Sequence, residues 1–446
     1  MVKRVQKVLT RDLHFREMAL QSVYSFLMRA AGLAVNYFFL IFVTKHYGAT
    51  GWGIFAICFS IIQICSMVGT FGFNVAFVKI IPQGYSNIKA LYLRTLKSIV
   101  PINILLNVLI YLLAPQFGHF FGADGIYIDR YIRVASFGIL PFSISLINSG
   151  ILRGNKEIIL FSFFDSLGRF LSGSIIVAVL TYINVDPYNV IVGFVAGLYL
   201  IAILSFKGIR DILNRQNKSN ASIQFAFADF IKLGMPIFWG TLAVQGSLWS
   251  STIILGYYLS KEQVGVFDAT NRLASLLTIT LFAINSISAP KFAESNGDAN
   301  MLNRNVQASS KLIFWTSVPL YLFLLFVGNW LLKFLEHAAI NEYLIFVIIL
   351  SGQLVNTLSG SVGVLMQMTG YHRLNQKISF CSLVFTAVTL FVVTPMYGLV
   401  GAAIVVGLNI ALRNIVSVIM MYNRTKILTV YNPPSIVSIF KKSQRA

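Results

Sequence analysis

Four arginines, Arg29, Arg169, Arg272 and Arg413, stand inside stretches of apolar sequence. A charge in such surroundings is costly and normally faces a bundle interior or a wet cavity. Two of the four follow an aspartate by four residues. Phe164-Asp165-Ser166-Leu167-Gly168-Arg169 and Phe267-Asp268-Ala269-Thr270-Asn271-Arg272 share the spelling Phe-Asp-x-x-x-Arg. That spacing puts acid and base on one face of a helix, in the favourable order. Against Asp165 and Asp268, the four arginines leave this set at net +2. A guanidinium is planar, permanently charged and able to donate two parallel hydrogen bonds to a phosphate. One reading is therefore a cationic lining for an anionic head group. The other is that each aspartate neutralises the arginine on its own helix, while Arg29 and Arg413 snorkel toward a membrane surface. Asp165 and Asp268 are also the candidate sites for coupling to a proton or a sodium ion.

Uncharged polar side chains recur at helical spacing beside these charges. Thr241, Gln245 and Thr252 form one stripe, and Gln353, Asn356, Gly360 and Gln367 another, with Asn36, Asn148 and Asn409 as single amides. Gln245, Gln353 and Asn356 are the candidates for binding sugar hydroxyls from a cavity wall. The same stripes are also what close packing of membrane helices uses. The five histidines, His14, His46, His119, His337 and His372, are dispersed without metal-ligand spacing. No Gly-rich phosphate loop with a following lysine is present. Neither a metal, a cofactor nor a nucleotide motor is expected.

The elements that must carry these residues follow from composition. Of 446 residues, 57% are hydrophobic and 11% charged, against about 25% charged in a soluble domain. The fold class expected is all-α and polytopic. Apolar runs of about 20 residues, enough to cross a bilayer, fall near 18–44, 51–77, 97–118, 132–152, 158–183, 189–206, 230–257, 264–290, 309–333, 342–367, 377–396 and 398–422. About twelve helices place both termini on one side. The run after the basic N-terminus is too long for a signal peptide and contains Arg29, so it reads as an uncleaved first span. Of the 35 Lys and Arg residues, 26 fall on the termini and the even-numbered loops. By the positive-inside rule both termini are cytoplasmic, and the formal charge of +20 is topological, with no nucleic-acid partner implied.

The longest polar connection, Lys207–Ala228, sits near the middle and divides the chain into six-helix halves, 1–218 and 219–446. A weak internal repeat at an offset of 212 supports the division: Gly53-Ile54-Phe55 matches Gly265-Val266-Phe267, Lys79 matches Lys291, and Tyr131 matches Tyr343. With both halves starting on the same side, the repeat is parallel, its axis along the membrane normal. Trp52, Trp315 and Trp330 stand near span ends and read as interfacial belt residues. Cys58, Cys65 and Cys381 lie in apolar runs and read as packing residues. The tail from Pro433, with Lys441 and Lys442, reads as resting on the inner leaflet. The external loop 117–131 is too short to house a catalytic domain, so the chain reads as a non-enzyme.

At this point the chain resembles the polysaccharide transporter branch of the multidrug, oligosaccharidyl-lipid and polysaccharide exporter superfamily. Phe26-Leu27-Met28-Arg29-Ala30-Ala31-Gly32 precedes Tyr47-Gly48-Ala49-Thr50-Gly51-Trp52-Gly53-Ile54-Phe55 and Gly69-Thr70-Phe71-Gly72-Phe73 in the first half. Gly234-Met235-Pro236 precedes Val264-Gly265-Val266-Phe267 in the second, with Leu152-Arg153-Gly154-Asn155 and Met368-Thr369-Gly370 also fitting. The resemblance is greatest to O-antigen flippases of Gram-negative bacteria. It implies movement of an undecaprenyl-diphosphate-linked oligosaccharide to the periplasmic leaflet of the inner membrane, with membrane lipids and polysaccharide-assembly proteins as partners. A cation-coupled multidrug exporter of the same fold is the alternative, set back by the net basic interior. A membrane polysaccharide polymerase or glycosyltransferase is a further one, set back by the missing catalytic loop.

Overall fold

The computed structural model describes residues 13–83, 88–122, 125–216, 226–295, 297–334 and 340–431. The tail from Pro433 and the residues 217–225 of the expected central loop lie outside the described residues. Helices and short turns make up the described residues, and no strand occurs among them. In chain order the helices are α1 (Leu13–Thr70), α2 (Phe73–Ile80), α3 (Ile88–Phe120), α4 (Asp129–Ser136), α5 (Ile139–Gly154) and α6 (Ile158–Ser162). After a π-helical turn, Phe163–Leu167, come α7 (Gly168–Ile183), α8 (Tyr188–Gln216), α9 (Phe227–Tyr258), α10 (Lys261–Ser275) and α11 (Thr278–Glu294). α12 (Ala299–Phe334), α13 (Ile340–Leu358), α14 (Val362–Met368) and α15 (His372–Thr425) complete the chain.

α1 and α15 are each two helices joined across a single glycine. Gly48 has φ 67°, ψ −178° and Gly398 has φ 56°, ψ −142°. Residues with a Cβ hardly visit this region, so glycine turns the chain in one step where the sequence suggests a loop. Each arm, at about 1.5 Å per residue, is long enough to cross a bilayer. Seven described helices are apolar and long enough to span, and α13 with α14 forms one further span bent by 41°. The protein is thus an all-α, multi-pass membrane protein, and its helices are compatible with the twelve spans expected.

Four of the expected spans are broken where hydropathy shows none. Breaks fall at Phe71-Gly72, Phe137-Gly138, Leu276-Leu277 and Ser359–Ser361. Each separated piece stays apolar, so a window average passes over the break. The expected loop Lys207–Ala228 is also shorter than the sequence suggests. α8 continues to Gln216 because Ile209, Ile212 and Leu213 stay buried in a hydrophobic core, while Lys207, Arg210 and Asp211 on the other face are exposed.

The chain divides into two compact units. The first comprises α1 to α9, α10 as far as Ala269, and the stretch Leu390–Leu399 of α15. Lipid tails are as apolar as leucine, so membrane helices associate by close packing and hydrogen bonding. Small residues carry much of that packing here. A Cβ on Gly197 would lie 2.6 Å from the backbone of Gly173, which brings α7 and α8 into contact. Between them and α1, Phe39, Phe55, Phe59, Phe170 and Phe194 interlock at ring-centroid distances of 5.0 to 6.3 Å. A second cluster joins Phe73, Phe77, Tyr92, Ile151, Phe164 and Phe230.

The second unit holds the rest of α10, with α11, α12 as far as Leu332, α13, α14 and most of α15. A Cβ on Gly352 would sit 2.6 Å from the Gly407 carbonyl, so α13 and α15 touch backbone to backbone. After α15, Lys426 adopts a left-handed conformation. The following residues then lie on α12, where Gln307 Nε2 donates to the Leu428 carbonyl at 2.6 Å and Ser310 Oγ donates to the Thr429 carbonyl.

Candidate functional site

Asp165 sits in the π-helical turn Phe163–Leu167. Such a turn inserts one extra residue into a helix, and π-turns are frequent at functional sites. It is braced by α1: a Cβ on Gly32 would meet Ser166 Cβ at 2.9 Å and Leu167 N at 3.0 Å. Arg169 Nη2 donates to Asp165 Oδ1 at 3.0 Å. The two side chains are 33% exposed for Asp165 and 14% for Arg169. The guanidinium lies over the Phe142 ring, 4.9 Å from its centroid, a cation–π contact that desolvation strengthens. Arg169 Nε is buried and has no hydrogen-bond acceptor. The ion pair thus leaves one buried N–H of the guanidinium without an acceptor.

Arg29 lies on α1, one turn before Gly32; its side chain lies outside the described residues. Asp268 and Arg272 lie on α10, one turn apart. Asp268 has a partner that the sequence did not suggest. Trp52 Nε1 donates to Asp268 Oδ2 at 3.0 Å. Trp52 is fully buried, so it is not an interfacial belt residue; Trp315 and Trp330 are exposed at 62% and 63%, as belt residues are. The only hint in the sequence is that Trp52 stands between Gly51 and Gly53, where neighbouring backbone can approach. Rings connect the two charged centres. Phe142, below Arg169, meets Phe59 at 6.1 Å, Phe59 stacks on Phe55 at 5.5 Å, and Phe55 meets Trp52 at 5.1 Å.

In the second unit, Arg413 is half-buried on α15. Gln353 is nearly buried and accepts a hydrogen bond from Asn356 Nδ2 at 3.1 Å. Gln245, on α9 in the first unit, is half-buried. Thr241 spends its hydroxyl on the Ile237 carbonyl of its own helix. Two of the single amides serve packing. Asn148 is fully buried, accepts from Tyr92 Oη at 2.9 Å and donates to Ser205 Oγ at 2.7 Å. Asn409 accepts from Ser382 Oγ at 2.8 Å. Of the cysteines, Cys58 is buried, Cys65 half-buried and Cys381 exposed, so Cys381 is not a core residue. Among the described residues no group of His, Cys, Asp and Glu is placed to hold a metal ion.

The fold is shared with solved structures of membrane transporters. Over 90% of this chain and 87% of the other, it superimposes on a structure described as lipid II flippase MurJ in an inward closed conformation, with a TM-score of 0.72 and 16% identity. A multidrug resistance MATE family transporter of the MOP superfamily, inward-facing, matches 91% of this chain and 98% of its own at 14% identity, TM-score 0.64. A MOP superfamily transporter from Pyrococcus furiosus, described as having a binding pocket of reversed polarity, matches 91% and 95% at 12% identity, TM-score 0.60. No curated protein matches the sequence. Residues 21–296 match the family described as polysaccharide biosynthesis protein, and the chain belongs to that family.

Proposed function

We propose that this protein is a flippase that carries an undecaprenyl-diphosphate-linked oligosaccharide, an O-antigen or similar repeat unit, from the cytoplasmic to the periplasmic leaflet of the bacterial inner membrane. The observation that carries the reading is Arg169: an arginine inside a span, paired with Asp165, with one buried N–H lacking an acceptor. Membership of a polysaccharide biosynthesis family supports this reading of the substrate. The physical problem is to move a charged, hydroxyl-rich head group through hydrocarbon while the polyprenyl tail stays in lipid. In this proposal Arg29, Arg169, Arg272 and Arg413 receive the diphosphate, and Gln245, Gln353 and Asn356 receive sugar hydroxyls. The halves 1–218 and 219–446 alternate access between the two faces, with both termini cytoplasmic. Moving each negative charge outward gains about 2.3 kcal/mol per 100 mV of membrane potential. Asp165 or Asp268 is the place where a proton or sodium ion would couple. In this proposal the protein acts as a transporter and not as an enzyme. A multidrug exporter of the same fold would favour an acidic interior for organic cations, whereas the intramembrane set here is net basic.

The test is complementation of a strain deleted for this gene. Arg169→Gln should abolish surface polysaccharide while the protein accumulates in the membrane. Arg169→Lys should restore part of it, because lysine keeps the charge and loses the planar fork. Full activity of the glutamine variant at normal abundance would overturn the proposal.

A further inference from the structure

Gly53 and Gly265 occupy the same position in the two copies of the internal repeat, and within the first unit they lie against each other. A Cβ on Gly53 would be 1.8 Å from the Lys261 carbonyl oxygen and 2.9 Å from Gly265 N. A Cβ on Gly265 would be 2.0 Å from the Ala49 carbonyl oxygen and 2.9 Å from Gly53 N. The contact is reciprocal: each glycine receives the backbone four residues before its counterpart, and each faces the other's amide. Such self-complementarity is what a two-fold relation produces at its axis. The second arm of α1 and the first turns of α10 therefore cross where the two repeats meet, with no side chain between them.

Two of the three charged groups on this part of α10, Lys261 and Asp268, are held by the first repeat, while Glu262 is exposed. One residue before Gly53, the Trp52 indole donates to Asp268, three residues after Gly265. Lys261, fully buried, donates through Nζ to the Phe121 carbonyl at the end of α3. The Trp52–Asp268 bond needs α1 and α10 at backbone contact; a methyl group between the helices would move donor and acceptor out of range.

We infer that the glycine crossing and the Trp52–Asp268 hydrogen bond form one clasp, in which Trp52 is a positioning residue. It holds the Asp268 carboxylate while the two helices touch and releases it to the translocation path when they part. The release step rests on the transport reading above; the clasp itself does not.

The test keeps Trp52 as the sole tryptophan, with Trp239, Trp249, Trp315 and Trp330 changed to Phe, and reads iodide quenching of its emission in purified protein. The buried indole should be almost unquenched. Gly265→Ala should raise the quenching constant several-fold, and Gly53→Ala should do so from the other helix, which covers the case in which one variant fails to fold. Asp268→Ala should raise it similarly, and Gly265→Ala combined with Asp268→Ala should exceed neither single change, because one clasp opens once. Undecaprenyl diphosphate added to the parent should also raise it. Glycine variants as shielded as the parent, or additive effects, would overturn the inference. Matching variants with no response to the lipid would leave the clasp standing and count against the substrate reading alone.

Discussion

Arg169 lies 3.0 Å from Asp165 across a widened helical turn, yet its Nε is buried without an acceptor. Scaffolding and site predict different outcomes for this pair. If Asp165 only balances the arginine, either single neutral variant leaves an unpaired charge and lowers membrane abundance, and the double variant restores abundance and activity together. If Arg169 grips substrate, Asp165→Asn with Arg169→Gln instead accumulates to about the parental level and gives no surface polysaccharide. Quantifying membrane protein beside polysaccharide separates the two.

Asn148 supplies the control for a polar residue that is structural. It ties Tyr92 on α3 to Ser205 on α8. Asn148→Ala should leave the buried Tyr92 hydroxyl without its acceptor, while Ser205 keeps its bond to the Ala202 carbonyl, and cost about 1–3 kcal/mol. The expected result is a lower unfolding temperature in detergent with unchanged transport per folded molecule.

The one-residue turns at Gly48 and Gly398 make a prediction about backbone alone. A Cβ at either position would meet nothing within 4 Å, so steric crowding plays no part. Gly48→Ala and Gly398→Ala should each destabilise by about 1–3 kcal/mol, the cost of holding an L-residue in that region. Thermal unfolding reads this directly, and a variant as stable as the parent would mean that the turn relaxes freely.

Much of the fold is legible in the sequence, for a simple reason. A span must be apolar over its whole length. What hydropathy could not show is geometry internal to an apolar run. The breaks at Phe71-Gly72 and Leu276-Leu277 leave apolar pieces on both sides, and the π-turn at Asp165 changes spacing without changing composition. Asp165 with Arg169 was legible because the pair is local, four residues apart on one helix. Trp52 with Asp268 was not, because 216 positions separate them and a tryptophan near a span end has the same appearance whether it faces headgroups or a carboxylate. Asn148 was ambiguous for a related reason: a buried amide in a membrane helix has the same spelling whether it lines a cavity or bonds two helices.

The charge count makes a topological prediction independent of any site. Reporter fusions after Lys218 and Arg445 should report cytoplasm, and fusions near Asp124 and Glu336 should report periplasm. A periplasmic Lys218 would overturn both the span count and the division at that loop.

The central claim is that the intramembrane arginines pass a lipid-linked diphosphate sugar across the bilayer. The direct measurement uses the purified protein in sealed proteoliposomes carrying a fluorescent undecaprenyl-diphosphate oligosaccharide, with a membrane-impermeant glycosidase added outside. Protein-containing vesicles should pass inner-leaflet lipid to the outer leaflet, Arg169→Gln and Arg29→Ala should bring this near the protein-free rate, and Arg29→Lys should retain part of it. Exchange no faster than in protein-free vesicles, or equally fast in the parent and both neutral variants, would contradict it.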